Sequence, residues 1–223
     1  MDFHHSPQEA VQIQNELKSQ IRLEPYIAPL KLIGGADVSF NKYSPTIYAG
    51  FVVLDFQTLE IVDRASAIMD VDFPYIPGLL SFREIPPLLK AWENLKTKPD
   101  VMMFDGQGIA HPRRLGIASH AGLLLDIPSI GCAKSLLTGT FETPGPNFAS
   151  QSPLLEKKTK EQIGVVFRTK NKVNPVFISP GHRMDFESAV RITQACVRKH
   201  RIPEPTRQAH LYVNEVRRAQ MPT

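Results

Sequence analysis

A chain of 223 residues, 42% of them hydrophobic, is long enough to form one large domain around a substantial core. Its formal net charge of +4 suits a polyanionic partner without naming one. The two cysteines, Cys132 and Cys196, lie in apolar surroundings and exclude a disulfide framework or a Cys/His zinc site, which suits buried thiols in a reducing compartment. No apolar run approaches the ~20 residues that span a bilayer, and Met1–Ala10 lacks the pattern of a signal peptide, so a soluble, cytoplasmic protein is expected.

The elements follow in order. Ser6, Pro7 and Glu9 form an N-cap, a first helical position and a capping box, opening a helix with Val11, Leu17 and Ile21 on its apolar face. Lys31–Phe40 and Thr46–Phe56 read as strands joined by a turn at Asn41–Pro45, and Leu59–Val71 as a third after a turn at Gln57–Thr58. The prolines of Pro74–Gly78 make a stiff loop. A helix is expected from near Pro86, with Leu88, Leu89, Trp92 and Leu95 as its stripe. Val101–Asp105 is a short apolar strand, followed by a Gly-rich turn, a helix near Leu115–Leu125 and a strand at Ser129–Ala133. The order β-β-β-α-β-α-β implies an antiparallel meander extended by parallel crossovers, a mixed α/β sheet.

Gly139–Glu161, rich in Pro, Ser and Lys, reads as a surface excursion. Strands at Ile163–Thr169 and Val176–Ser179 bracket a turn. Two helices end the chain, one capped by Asp185 with Phe186, Ala189, Val190, Thr193 and Val197 as its stripe, the other running from Pro205 to about Arg218. Neither a repeat nor a linker divides the sequence, so one domain over 1–223 is expected.

Two acids stand in unusual positions. Asp37 lies within the apolar run LIGGADVSF and Asp105 ends VMMFD, although Asp is disfavoured in strands. On neighbouring strands they converge, and a divalent cation is the simplest way to hold two carboxylates together. An all-oxygen set favours magnesium or manganese over zinc. The plainer alternative is turn chemistry, which Asp105-Gly106 suits well. Glu84 is a third acid, but helix-dipole stabilisation before Pro86 accounts for it equally. On the last helix Arg207, His210, Asn214 and Arg217 form one polar stripe, which fits either a solvated face or phosphate approach.

FPYIPGLLSFRE, FDGQGIAHPRRLGIASH, IGCAKS, SPGHRMD and IPEPTRQAHLYVNEVRR, in this order and spacing, resemble the endonuclease V family, the deoxyinosine 3′ endonucleases. The resemblance spans most of the chain and is weakest over Phe141–Gln162. It implies an RNase H-like fold and magnesium-dependent hydrolysis, with manganese as a substitute, of the second phosphodiester 3′ to hypoxanthine in DNA, leaving 3′-hydroxyl and 5′-phosphate ends. Inosine-containing RNA is a further substrate within the family. By the same resemblance Asp37, Glu84 and Asp105 are metal ligands, His210 is the active-site histidine, Lys134 stands near the catalytic phosphate and Tyr75 is the wedge that fills the gap left by the extruded base. His111 is matched to nucleic-acid contact, with a structural role equally open, and Gly106, Gly108 and Gly116 to close approach around the base or to the turns themselves. A monomer is expected.

Overall fold

The computed structural model describes residues 5–41 and 44–220. Met1–His4 of the expected N-terminal reading, and Lys42 and Tyr43 of the expected Asn41–Pro45 turn, lie outside them.

Eight strands form one sheet in the order β3-β2-β1-β4-β5-β8-β7-β6. The meander comprises β1 (Leu32–Phe40), β2 (Thr46–Asp55) and β3 (Ile61–Asp70). β4 (Val101–Phe104) and β5 (Ser129–Ala133) lie parallel to β1, which pairs Gly35 with Met103 and Ala36 with Phe104. β6 (Gln151–Leu155), β7 (Gln162–Phe167) and β8 (Val176–Pro180) complete the sheet antiparallel. This is the mixed sheet that the sequence pattern implies, in the RNase H-like form that the family resemblance implies. β3 begins two residues later than expected. The Asp55 carboxylate accepts the Gln57 and Thr58 amides, and Leu59, at φ 60°, still belongs to the turn.

Side chains alternate across the sheet and feed two cores. Val101 and Met103 join Ile33, Val52, Ile130 and Cys132 under α4 (Phe186–Ala195) and α5 (Glu204–Ala219). Met102 and Phe104 join Ala36, Phe51 and Val53 beneath α2 (Leu80–Asn94) and α3 (Ile117–Leu124). Cys132 and Cys196 are buried and unpaired.

Three local expectations are corrected. α2 starts at Leu80, so Pro86 and Pro87 lie inside it and Glu84 in its second turn, not ahead of it. Each interior proline removes one helix hydrogen bond, at about 3 kcal/mol or more; burial of Phe82, Ile85, Pro86, Pro87, Leu88 and Ala91 offsets it. The excursion at 139–161 contains β6, an edge strand whose Pro153 suits an edge position. On α1 (Pro7–Leu17) the capping box forms as expected, but the buried residues are Ala10 and Gln14 rather than Val11 and Leu17, and Ile21 lies beyond the helix.

α5 runs close against β1 because Gly35 has no side chain: a Cβ there would stand 1.9 Å from the Pro205 carbonyl oxygen. That approach sets the register of α5 over the strand face carrying Gly35, Asp37 and Ser39. Asp185 caps α4 by accepting the Ser188 amide at 2.8 Å. Among the described residues, no helix is long and apolar enough to cross a membrane.

Candidate active site

β1 and β4 are parallel neighbours, so the acids near their C-terminal ends meet at one edge of the sheet. The Asp105 amide donates to the Ala36 carbonyl at 3.2 Å, which fixes Asp105 beside Asp37. One ligand atom from each of Asp37, Asp105 and His210 lies within 4.8 Å of the others. Glu84 stands outside this trio and comes from α2, on the opposite layer of the fold.

Charge in this cluster is poorly compensated. Burial, then the neighbouring Asp105 carboxylate, raises Asp37 to about 6, against the pull of His210 and Lys134. Burial, then Asp37 and Asp105, raises Glu84 to about 8. Lys134, directly after β5, forms an ion pair with Asp105. Three carboxylates and one imidazole, offset in part by Lys134 and, at Glu84, by Arg83, are a donor set that fits a hard divalent cation.

His210 is held on both sides. Its Nδ1 lies 2.7 Å from Asp37 Oδ2, and an ionised carboxylate can only accept, so Nδ1 carries the proton. Nε2 lies 3.2 Å from Asn214 Nδ2, which donates to it, while Asn214 Oδ1 accepts from the Ser39 hydroxyl at 3.1 Å. Asp37 and Ser39, two apart on β1, thus engage His210 and Asn214, four apart on α5. The other members of the polar stripe are committed elsewhere. Arg207 pairs with Glu204 one turn back at 2.6 Å, and Arg217 donates to the Phe40 carbonyl at 3.1 Å, so the stripe is not a free basic face.

Beside the acids opens a cavity of about 400 Å³, walled by Glu84, Asp105, Gly106, Gln107, His111, Gly116 and Lys134 among others, with Tyr75 on its rim. Tyr75 is 61% exposed, an unusual state for a large aromatic ring, and stands between this cavity and a second depression lined by Phe40 and Arg83. Its loop is anchored by one carbonyl. Gly78 O accepts from Gln14 Nε2 at 3.0 Å, Arg113 Nη2 at 2.7 Å and His111 Nε2 at 3.1 Å. His111 Nδ1 in turn accepts the Arg113 amide at 3.2 Å, and burial holds the ring down at about 4, so both nitrogens of a neutral His111 serve the loop. Gly106 and Gly116 line the cavity. Gly108 does not: it is buried where a Cβ would stand 1.9 Å from the Pro180 carbonyl oxygen. A larger groove of about 860 Å³ lies away from the acids, between β6 and α4, and carries no metal-ligating cluster.

The sequence pattern did not single out Ser39 or Gln107, nor Asn214 as a partner of His210. Ser39 had a signal, standing two residues from Asp37 on the same strand face. Gln107 lines the cavity with a buried Oε1 that has no partner among the described residues. Leu136 and Leu137 expose apolar surface on the far wall.

Comparison with known proteins points to one family. A family model described as Endonuclease V matches residues 15–211. The Endonuclease V of Myxococcus xanthus is 49% identical over 215 residues, covering 96% of this chain and 91% of that protein. The crystal structure of the Endonuclease V from Streptomyces avermitilis superposes with a TM-score of 0.92 at 40% identity, covering 97% of this chain and 95% of that one. The Endonuclease V of Ciona intestinalis, crystallised with a 24mer DNA containing an inosine followed by a ribo-adenosine, superposes with a TM-score of 0.82 at 26% identity, covering 96% and 98%. With the family match spanning Asp37, Glu84, Asp105, Lys134 and His210, this chain belongs to the endonuclease V family.

Proposed function

We propose that the protein is a DNA repair endonuclease that recognises hypoxanthine, the product of adenine deamination, and hydrolyses the second phosphodiester 3′ to it. The observation that carries this reading is an acid–histidine cluster that shares Asp105 with the wall of a base-sized cavity, which Tyr75, an exposed tyrosine, also lines. The inosine-containing DNA bound by the Ciona relative supports the same substrate here.

In this reading Asp37 and Asp105, with Glu84 close by, would hold magnesium, with manganese as its substitute. The bound cation would neutralise the carboxylates and stabilise charge on the scissile phosphate and the leaving 3′ oxygen. The chain's own groups do the rest. Tyr75 fills the gap left by the extruded base, on a loop braced by His111, Arg113 and Gln14. The walls at Gly106 and Gly116 let the base approach the backbone. Lys134 brings positive charge to the phosphate. His210, turned by Asp37 through Nδ1, would orient the attacking water through Nε2, whose partner, the Asn214 amide at 3.2 Å, also donates to the His210 carbonyl at 2.8 Å. Water attacks phosphorus in line and loses a proton; the P–O3′ bond breaks and the 3′ oxygen gains one, leaving 3′-hydroxyl and 5′-phosphate ends.

Every side chain in this scheme comes from one chain, which supports action as a monomer and as a single domain over 1–223. Two unpaired buried thiols accord with the cytoplasm. The test is cleavage of matched deoxyinosine DNA and inosine RNA oligonucleotides with and without magnesium. Magnesium-dependent cutting one nucleotide beyond the lesion's own 3′ phosphate supports the proposal, and the ratio between the two arms gives the DNA or RNA preference. Equal cutting of undamaged controls contradicts it.

A further inference from the structure

The edge of the sheet that carries the acids continues past them. β8 runs antiparallel to β5, with Phe177 opposite Ala133, so the turn between β7 and β8 lies at the same edge as Asp105 and Lys134. The segment between α4 and α5 is stitched to that turn. Lys170 Nζ donates to the Lys199 carbonyl, and Arg201 donates to the carbonyls of Asn174 at 2.8 Å and Pro175 at 2.9 Å. Arg201 also donates to the carbonyl of Lys134 at 2.6 Å, which joins the two loops to the rim of the cavity.

The joined surface is a shelf of one sign. Lys170, Lys172, Arg198, Lys199 and Arg201 lie on it, and residues 168–175 and 196–203 include neither Asp nor Glu. Among the described residues none of these five cations forms a salt bridge, although Arg22, Arg64, Arg114, Arg183 and Arg207 elsewhere all do. Lys172, Arg198 and Lys199 are exposed. The arrangement is also directional. Tyr75 lies against Phe40 at the end of β1, with ring centroids 6.4 Å apart, Lys134 follows β5, and the shelf lies at the start of β8, so the three follow the strand order β1-β4-β5-β8.

We propose that this shelf binds the phosphate backbone of the substrate strand beyond the cut, on its 3′ side, and so holds the strand from the end opposite the wedge. The inference rests on the nuclease reading above and adds to it a second binding region outside the acids and the cavity. Unpaired exposed cations suit phosphates, each neutralised phosphate releasing condensed counterions and steepening the salt dependence of binding.

The experiment compares the native protein with the triple variant Lys172→Gln, Arg198→Gln, Lys199→Gln. Lys170 and Arg201, which brace the loops, are left in place, and an unchanged melting temperature checks the fold. Binding is measured by fluorescence anisotropy across a salt series, without divalent cation so that the DNA stays intact. The duplexes carry one deoxyinosine and a long or short arm on either side of it. On the long 3′ arm the variant should lower the slope of log K against log salt by about 0.9 for each phosphate it no longer neutralises, up to about 2.7. On the short 3′ arm, variant and native protein should bind alike, whatever the 5′ arm. Equal losses on both 3′ arms, a loss that follows the 5′ arm, or no loss at all overturns the shelf. Titrations with an undamaged duplex separate the two claims, since absence of inosine preference in the native protein overturns the functional reading itself.

Discussion

Asp37 and Glu84 are acids whose surroundings resist their charge: burial does most of this, the neighbouring carboxylates add to it, and Lys134 at Asp37 and Arg83 at Glu84 offset it in part. Tyr75 separates recognition from that chemistry. Stacking on an aromatic ring is worth ~1–3 kcal/mol, so Tyr75→Ala should weaken binding to an inosine duplex roughly ten- to hundredfold, with a smaller effect on undamaged DNA. Tyr75→Phe should keep most of the affinity; equal losses on both duplexes would reduce Tyr75 to a general DNA contact. His210 is 51% exposed in its side chain, so His210→Ala should cut turnover sharply with little change in melting temperature. Asn214→Ala should lower kcat about three- to tenfold, the worth of one orienting hydrogen bond, with KM nearly constant. Unchanged kcat would show that the Ser39–Asn214 link does not position the imidazole. Asp37 and Asp105 stood out in the sequence because acids rarely end or interrupt apolar strands. Glu84 carried a misleading local context, two prolines that ordinarily mark a helix start. The partnership of Asn214 with His210 was not legible, because it depends on how closely α5 approaches β1.

Among the elements, α2 and α3 meet over a buried histidine. His120 lies 3.1 Å from the Ser81 hydroxyl through Nδ1 and packs edge-on to Phe82. Burial, then His5 and His111, holds it at about 3, below its ordinary 6.5. The unfolded chain therefore takes up the proton first. The stabilisation is complete above pH 6.5 and is lost as pH falls from there toward 3, by roughly 1.4 kcal/mol per unit. His120→Gln keeps a hydrogen-bonding group and cannot titrate, so its melting temperature should fall less steeply than that of the native protein between pH 6.5 and 5. Parallel curves would show that His120 binds its proton equally well in the folded and unfolded states. The order of strands and helices was readable from periodicity and turn residues, since long buried runs such as β1 and β2 leave little choice. β6 was not, because Gln151, Ser152 and Pro153 give it the composition of a loop. Pairing with β7 makes it a strand, and an edge strand needs no apolar alternation.

At the scale of the molecule, β1, α2, β4, β5 and α5 deliver the candidate groups to one edge of one sheet, so a cation held there would be linked to folding. An ion bound only by the folded state at a hundredfold excess over its Kd stabilises by about 2.7 kcal/mol, or roughly 5–10 °C for a chain of this size. Saturating magnesium should therefore raise the melting temperature of the native protein and not that of the double variant Asp37→Asn, Asp105→Asn. An equal rise in both would place any bound ion elsewhere. Mapping the cut on an end-labelled duplex with a single deoxyinosine, by native protein and by Asp105→Asn, tests the central claim most directly. The account predicts magnesium-dependent cleavage at the second phosphodiester 3′ to the lesion by the native protein, and none by Asp105→Asn, which still binds the duplex. Normal cleavage by Asp105→Asn, or cutting indifferent to the position of the inosine, would contradict it.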